Sequence, residues 1–278
     1  AIGNWHVSNV TTMANMFLGA TSFHQPLNDW GAKTSNVTDM SRMFYVATKF
    51  NQPINSWNVS SVTTFYQMFY SAVQFNGSVS GWAPSSATNM QQMFGYAYKF
   101  NQPIDWTATG SVTNMQQMFT YAYDFNQSLA SLNTSSVTNM NNMFSNATDF
   151  NGDVSTWNTA NVTNMSSMFT QATSFNNASG LSAWNTGNVT SMASMFSYAT
   201  AFNQPLATWN TGKVTDMSVM FQYAPAFNQP LNAWDVSKVT NMSRMFEGAS
   251  AFNQDLNSWN TGNAAGSGMT YMFYLASD

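Results

Sequence analysis

Hydrophobic positions along this chain repeat one short pattern about ten times. In "VTNMSRMFEGASAFNQDLNSW", which begins at Val239, the apolar residues counted from the first Met fall at i, i+3, i+4 and i+7 (Met242, Met245, Phe246, Ala249). That spacing lines one face of an α-helix and predicts about three turns of it in every repeat. The Thr ahead of each Met (Thr11, Thr38, Thr63, Thr88 and their equivalents to Thr240) fits an N-cap. A helix this short is unstable alone and must be held by packing. Behind it comes Phe-Asn-Gln-Pro-Leu-x-x-Trp, where Pro26, Pro53, Pro103, Pro205 and Pro230 end any helix and force extended chain. A short strand is expected near Leu-x-x-Trp, and Trp-Asn-Thr-Gly/Ser turns the chain toward the next copy.

With the first Met of Met-x-x-Met-Phe as marker, copies start at Met13, Met40, Phe65 (in place of Met), Met90, Met115, Met140, Met165, Met192, Met217, Met242 and Met269. Seven intervals are 25 residues and three are 27. All 21 methionines sit in this motif, and the 22 phenylalanines take equally fixed places, so both do one repeated job. The extra residues fall near Gly31–Thr34, Asn177–Ser182 and Ala264–Gly268, which should bulge outward as loops. Trp106 arrives one residue early, and Leu132 holds the next Trp position. A strand and a helix per repeat is the leucine-rich-repeat plan. Strands stack at about 4.8 Å and helices at about 8–10 Å, a mismatch that bends the stack with its helices outside. The expected fold is therefore an α/β solenoid over residues 1–278, a curved leucine-rich-repeat-like stack of about ten 25–27-residue repeats. It begins and ends mid-repeat, as a piece of a longer protein would.

Composition narrows the function. Only 6% of the 278 residues are charged, against about 25% in an ordinary domain, so Asn, Ser, Thr and Gln carry solubility. The net charge of −4 offers no basic stripe for nucleic acid. No apolar run approaches the roughly 18 residues of a membrane span. Cysteine is absent, which removes disulfides, thiolate metal sites and a Cys nucleophile from this segment.

The stretch "FNQPLNAWDVSKVTNMSRMF" (Phe227–Phe246) resembles the bacterial surface protein repeat of roughly 25–26 residues. That family includes mycoplasma-type surface lipoproteins and is related to BspA-like leucine-rich-repeat proteins. The likeness extends over essentially the whole chain. It implies a leucine-rich-repeat-like solenoid, an extracellular or cell-surface place, and a role in adhesion or interaction. No catalytic residue is carried over. The lipid-anchoring Cys of many relatives has no counterpart here, and the Asp they often place after Trp is mostly Asn.

Several residue sets remain to be weighed. The methionines are soft enough for Cu(I), but helical spacing in every copy assigns them to the core. Asn51, Asn76, Asn101 and their equivalents to Asn253 form a column whose amides are expected to bond along the stack. Thr134, Thr159, Thr186 and Thr211 form a shorter one, regular enough to raise ice binding, although Val7, Val59 and Val236 interrupt it. His6 and His24 are the only histidines, and no carboxylates converge on them. Twelve N-x-S/T sequons follow from the composition. Tyrosine varies among copies in a way that points to contact: Tyr96, Tyr98, Tyr121 and Tyr123 stand in adjacent repeats, with Tyr70, Tyr198 and Tyr223 in nearby slots. Rigid amphipathic rings are common in interfaces. The residues thus describe a non-catalytic interaction or adhesion scaffold with a protein or glycan partner and no cofactor or metal. The alternatives are a structural subunit that associates end to end in a filament or larger complex, and an ice- or mineral-binding surface.

Overall fold

The computed structural model describes residues 2–177 and 180–276. Repeats stack in register as a solenoid, but each repeat is built differently from the expected strand and helix. Among the described residues there is no α-helix; the only helices are the 3-10 segments Asn28–Thr34 and Leu181–Ala183.

The Met-x-x-Met-Phe segment is a run of overlapping turns. In the second repeat the Met43 N–H donates to the Met40 carbonyl (3.2 Å), Tyr45 to Arg42 (3.1 Å) and Ala47 to Phe44 (3.0 Å). The N–H groups between them point along the stack: Arg42 donates to Tyr66 (2.9 Å), Phe44 to Met68 (2.8 Å) and Val46 to Tyr70 (2.8 Å). Half the amides therefore close local turns, and half tie one repeat to the next. The third residue of alternate turns is left-handed, with φ of 53° at Arg42 and 57° at Val46, the geometry of a type II turn. This chain path keeps Met40, Met43, Phe44 and Ala47 inside and leaves 41, 42, 45 and 46 outside, which is the same i, i+3, i+4, i+7 pattern a helix produces.

Packing explains the choice. An α-helix is about 10–12 Å across and follows repeats that step about 4.8 Å only where the stack bends to make room for it, whereas a flattened ladder of turns keeps the short step without bending. The outward positions carry Asn, Ser, Gln, Tyr and Gly in place of the Ala, Leu, Glu and Lys that stabilise helices. With no helix in the stack, the mismatch expected to bend it is gone.

The strand expectation also moves. Near Leu-x-x-Trp the chain makes a turn (Trp57 N–H to the Ile54 carbonyl, 3.2 Å). Parallel pairing occurs instead just after the threonines expected to be N-caps, as single bridges that run from Thr12–Asp39 through Asn89–Asn114 to Asp216–Asn241.

Val37, Met40, Met43, Phe44, Ala47, Phe50, Ile54 and Trp57 head eight inward columns, and the interior of each is almost fully buried. Phe44 stacks on Phe69 at 5.4 Å and pairs with Phe50 at 4.0 Å, a contact that recurs along the molecule. From Trp30 onward, each Trp donates its indole N–H to the carbonyl of the aliphatic residue one repeat back: Trp57 to Leu27 (3.0 Å), Trp106 to Val79 (2.9 Å), Trp157 to Leu129 (3.0 Å). Leu132 has no such donor, and there the neighbouring Ser131 hydroxyl reaches the Ile104 carbonyl at 2.8 Å.

The first insertion forms a 3-10 segment kinked at Gly31 (φ 45°). The second forms another behind Gly180 (φ 94°), residues 178 and 179 lying outside the described residues. Residues 265–267 of the third are exposed. Among the described residues, eight of the nine exposed large apolar side chains, including Met16, Leu18, Phe273 and Leu275, belong to the first and last repeats.

Candidate functional site

The predicted tyrosines separate into two groups. The larger lies on the outward side of the turn ladder in the second to fifth repeats, and every ring in it is half-buried. Tyr45 stacks on Tyr70 with centroids 5.1 Å apart and planes 7° apart. Tyr70 then crosses to the neighbouring column and meets Tyr96 at 5.1 Å, which stacks on Tyr121 at 4.5 Å and 14°. Tyr98 and Tyr123 run alongside, 4.9 Å apart, and Tyr121 meets Tyr123 edge-on at 6.0 Å. The Arg42 guanidinium closes one end of the strip, 5.8 Å from the Tyr45 ring and 5.2 Å from that of Tyr66. The smaller group is Tyr198 on Tyr223 at 4.9 Å. It does not join the first, because Asn146 and Gln171 hold its slot in the repeats between.

Tyr45, Tyr66 and Arg42 extend the strip beyond the tyrosines expected from sequence. The available signal was that Tyr45 and Tyr70 occupy the same slot, directly after the closing Phe. Gly95 holds that slot next, and its role is spatial: a Cβ there would stand 3.0 Å from Tyr70 Cδ2. Gly248 does the same for Tyr223, at 2.4 Å from Cδ1. Tyr96, Tyr121, Tyr198 and Tyr223 all sit in left-handed backbone, with φ between 50° and 58°. The interrepeat hydrogen bonds of the ladder hold them there, for example Tyr96 N–H to the Thr120 carbonyl at 2.7 Å.

Rings stacked this way hide their faces against one another and present edges and hydroxyls outward. Burial raises the Tyr70 hydroxyl above the ordinary phenol value, and the neighbouring Tyr96 and Tyr45 add to it. Burial, then Tyr98, does the same for Tyr123. Tyr223 is raised by burial and by its 3.2 Å hydrogen bond to Glu247. The Tyr70 and Tyr123 hydroxyls therefore stay protonated at ordinary pH, and the strip offers hydroxyl donors and acceptors on a rigid apolar base.

The other candidates are structural. The Asn column bonds as expected: each amide oxygen accepts the backbone N–H of the next Asn, from Asn76 to Asn51 (2.7 Å) through Asn253 to Asn228 (3.0 Å). Thr134, Thr159, Thr186 and Thr211 are 1% exposed, and each hydroxyl donates to a carbonyl of the next repeat, Thr134 to Asn158 at 3.0 Å. That buries the column expected to raise ice binding. His24 lies 3.2 Å from Gln52 Nε2. Where Trp106 arrives one residue early, a shallow groove of about 240 Å³ opens beside Pro103, Asp105 and Ser131. The Gly81 N–H and Ser80 hydroxyl, both 2.8 Å away, hold the Asp105 carboxyl below its ordinary pKa. Among the described residues no group of three His, Cys, Asp or Glu is placed to hold a metal. Among those residues no helix is long and apolar enough to cross a membrane.

Stacked turns and a continuous apolar core define a repeat solenoid, with a localised patch of tyrosines on its outward side. The chain belongs to the family described as Mycoplasma protein of unknown function, DUF285, whose model matches residues 1–107, 103–180 and 176–278. No curated protein matches it. Among solved structures it is similar to a leucine-rich-repeat protein of Leptospira interrogans, at 8% identity and a TM-score of 0.33 over 85% of this chain and 65% of that one. It is also similar to a leucine-rich cell-surface protein of Faecalibacterium prausnitzii, at 14% identity and a TM-score of 0.30 over 85% and 80%. This chain thus spans just under two thirds of the Leptospira protein. At these scores the likeness carries no weight for shape, and the solenoid rests on its own hydrogen-bond ladders.

Proposed function

We propose that this protein is a non-catalytic interaction scaffold displayed at a cell surface, and that the strip from Tyr45 to Tyr123 is its contact face. The observation that supports this reading is the strip itself: seven tyrosines and Arg42 gathered on one face of an otherwise Asn-, Ser- and Thr-covered molecule. Rigid rings lose little entropy on binding, and Tyr and Arg are the residues that dominate contact energies. Because the ring faces are taken up by stacking, the geometry favours a protein partner that hydrogen-bonds the hydroxyls over a glycan that needs a bare face. The surface setting rests on the repeat's resemblance to surface proteins.

Affinity capture from the native source tests this, with Tyr98→Ala/Tyr123→Ala as control. The wild type is expected to retain a stoichiometric protein that the folded double variant loses by at least tenfold, about 1.4 kcal/mol. Equal capture by both, or no capture, removes the strip as the contact face.

A second reading, assembly through the ends of the stack, is favoured by the apolar side chains concentrated in the first and last repeats. In a longer chain, further repeats would cover the same faces. Sedimentation of the 278-residue chain over a concentration series separates self-association from a monomer.

A further inference from the structure

The buried threonine column has an exposed counterpart. Thr63, Thr88, Thr113, Thr138, Thr163 and Thr190 stand one above another on the opposite side of Val-Thr-x-Met, all exposed. Each donates its backbone N–H to the carbonyl of the threonine before it, at 2.9 Å from Thr88 onward. Each hydroxyl donates to that same carbonyl, at 3.0–3.3 Å. Every side chain is thereby set in one orientation, with its methyl and hydroxyl oxygen repeating at the ladder spacing of about 4.8 Å. The column two residues earlier is serine or asparagine throughout, from Ser61 to Asn188, and the one directly after the threonines runs uncharged from Thr64 to Ser191. Three adjacent columns over six repeats thus carry no charge.

A preference for extended backbone selects threonine in such a place, but serine would make the same hydroxyl bond and abounds in the flanking column without entering this one. What separates the two residues is the exposed γ-methyl. We infer that this face binds ice. Its rows repeat close to the spacing of oxygen rows on ice surfaces; its alternating methyls and acceptor oxygens can hold a layer of ordered water between protein and crystal. Its lack of charge disfavours ionic minerals, and its lack of bare aromatic faces disfavours crystalline polysaccharides. The tyrosine strip lies on different columns, so the two faces can be tested apart.

The experiment is incorporation of the dye-labelled 278-residue chain into a slowly grown ice hemisphere, with microscopy of single ice crystals in the same protein. Incorporation and faceted crystals are expected for the wild type and for Tyr98→Ala/Tyr123→Ala. Both should be lost in Thr113→Lys/Thr138→Lys when circular dichroism shows the variant folded. Should that pair unfold, Ser111→Lys/Ser136→Lys places the same obstruction in the neighbouring column with the threonine ladder intact, and is expected to lose both. Exclusion of the wild type from ice like a control globular protein overturns the inference. So does full incorporation of a folded lysine variant, or binding to a mineral or polysaccharide powder without binding to ice.

Discussion

Ser131 shows how one side chain can take over a neighbour's duty. From Trp30 onward the indole N–H of each Trp satisfies a carbonyl of the preceding repeat, and Leu132 breaks that rule because it has no donor. The Ser131 hydroxyl supplies the missing hydrogen bond to Ile104. Without it the carbonyl is orphaned beside the core, and such a group costs about 1–3 kcal/mol. Ser131→Ala is therefore expected to lower stability by that amount in urea unfolding, with an unchanged slope. A loss below a few tenths of a kcal/mol would show that water satisfies the carbonyl instead. None of this was legible from residue types, since serine before the Trp position looks like any other polar filler.

At the scale of the element, the turn ladder depends on left-handed residues that are not glycine. Arg42, Gln67, Gln92, Gln117 and Val219 hold φ between 53° and 63° in the first left-handed slot. For an L-residue that conformation costs about 1–2 kcal/mol, and the stacked hydrogen bonds on both sides offset it. Val219 is the strained extreme, because a branched Cβ crowds the backbone there. Val219→Gly is expected to raise stability by about 1 kcal/mol, less whatever its half-buried methyls contribute, read as a higher melting temperature. A lower one would show that packing of those methyls outweighs the strain. The i, i+3, i+4, i+7 pattern could not separate this ladder from a helix, since both bury the same positions. Glycine in the outward slots (Gly19, Gly95, Gly248) and the scarcity of Glu–Lys pairs were the signals against a helix.

Over the whole molecule, few groups titrate. Asp105 and Asp235 have lowered pKa values, Asp105 chiefly through the Gly81 N–H and Asp235 through Ser237. A depressed folded pKa contributes stability that is present above the unfolded value, near 4, and lost as pH falls through the folded one. Tyr70, Tyr123 and Tyr223 are raised, so their contribution is complete below the unfolded value, near 10, and lost as pH climbs past it. The histidines are only two. A flat stability plateau from about pH 5 to 9 is expected, with losses at both ends. A transition inside that range in thermal melts would overturn the expectation.

The amino-acid sequence determined the period, the register and the inward set of Val, Met, Phe, Ala and Trp, because each follows from a local pattern copied about ten times. It also marked the Asn column, whose amides bond as its spacing implied. The tertiary structure alone decided that the inward pattern is a stack of turns, since the hydrogen bonds that choose between helix and ladder run between repeats 25 residues apart. It alone decided which threonines are buried and which are exposed. Thr134 and Thr138 are both plain threonines in sequence, and only the path of the chain turns one hydroxyl into the core and leaves the other on the surface.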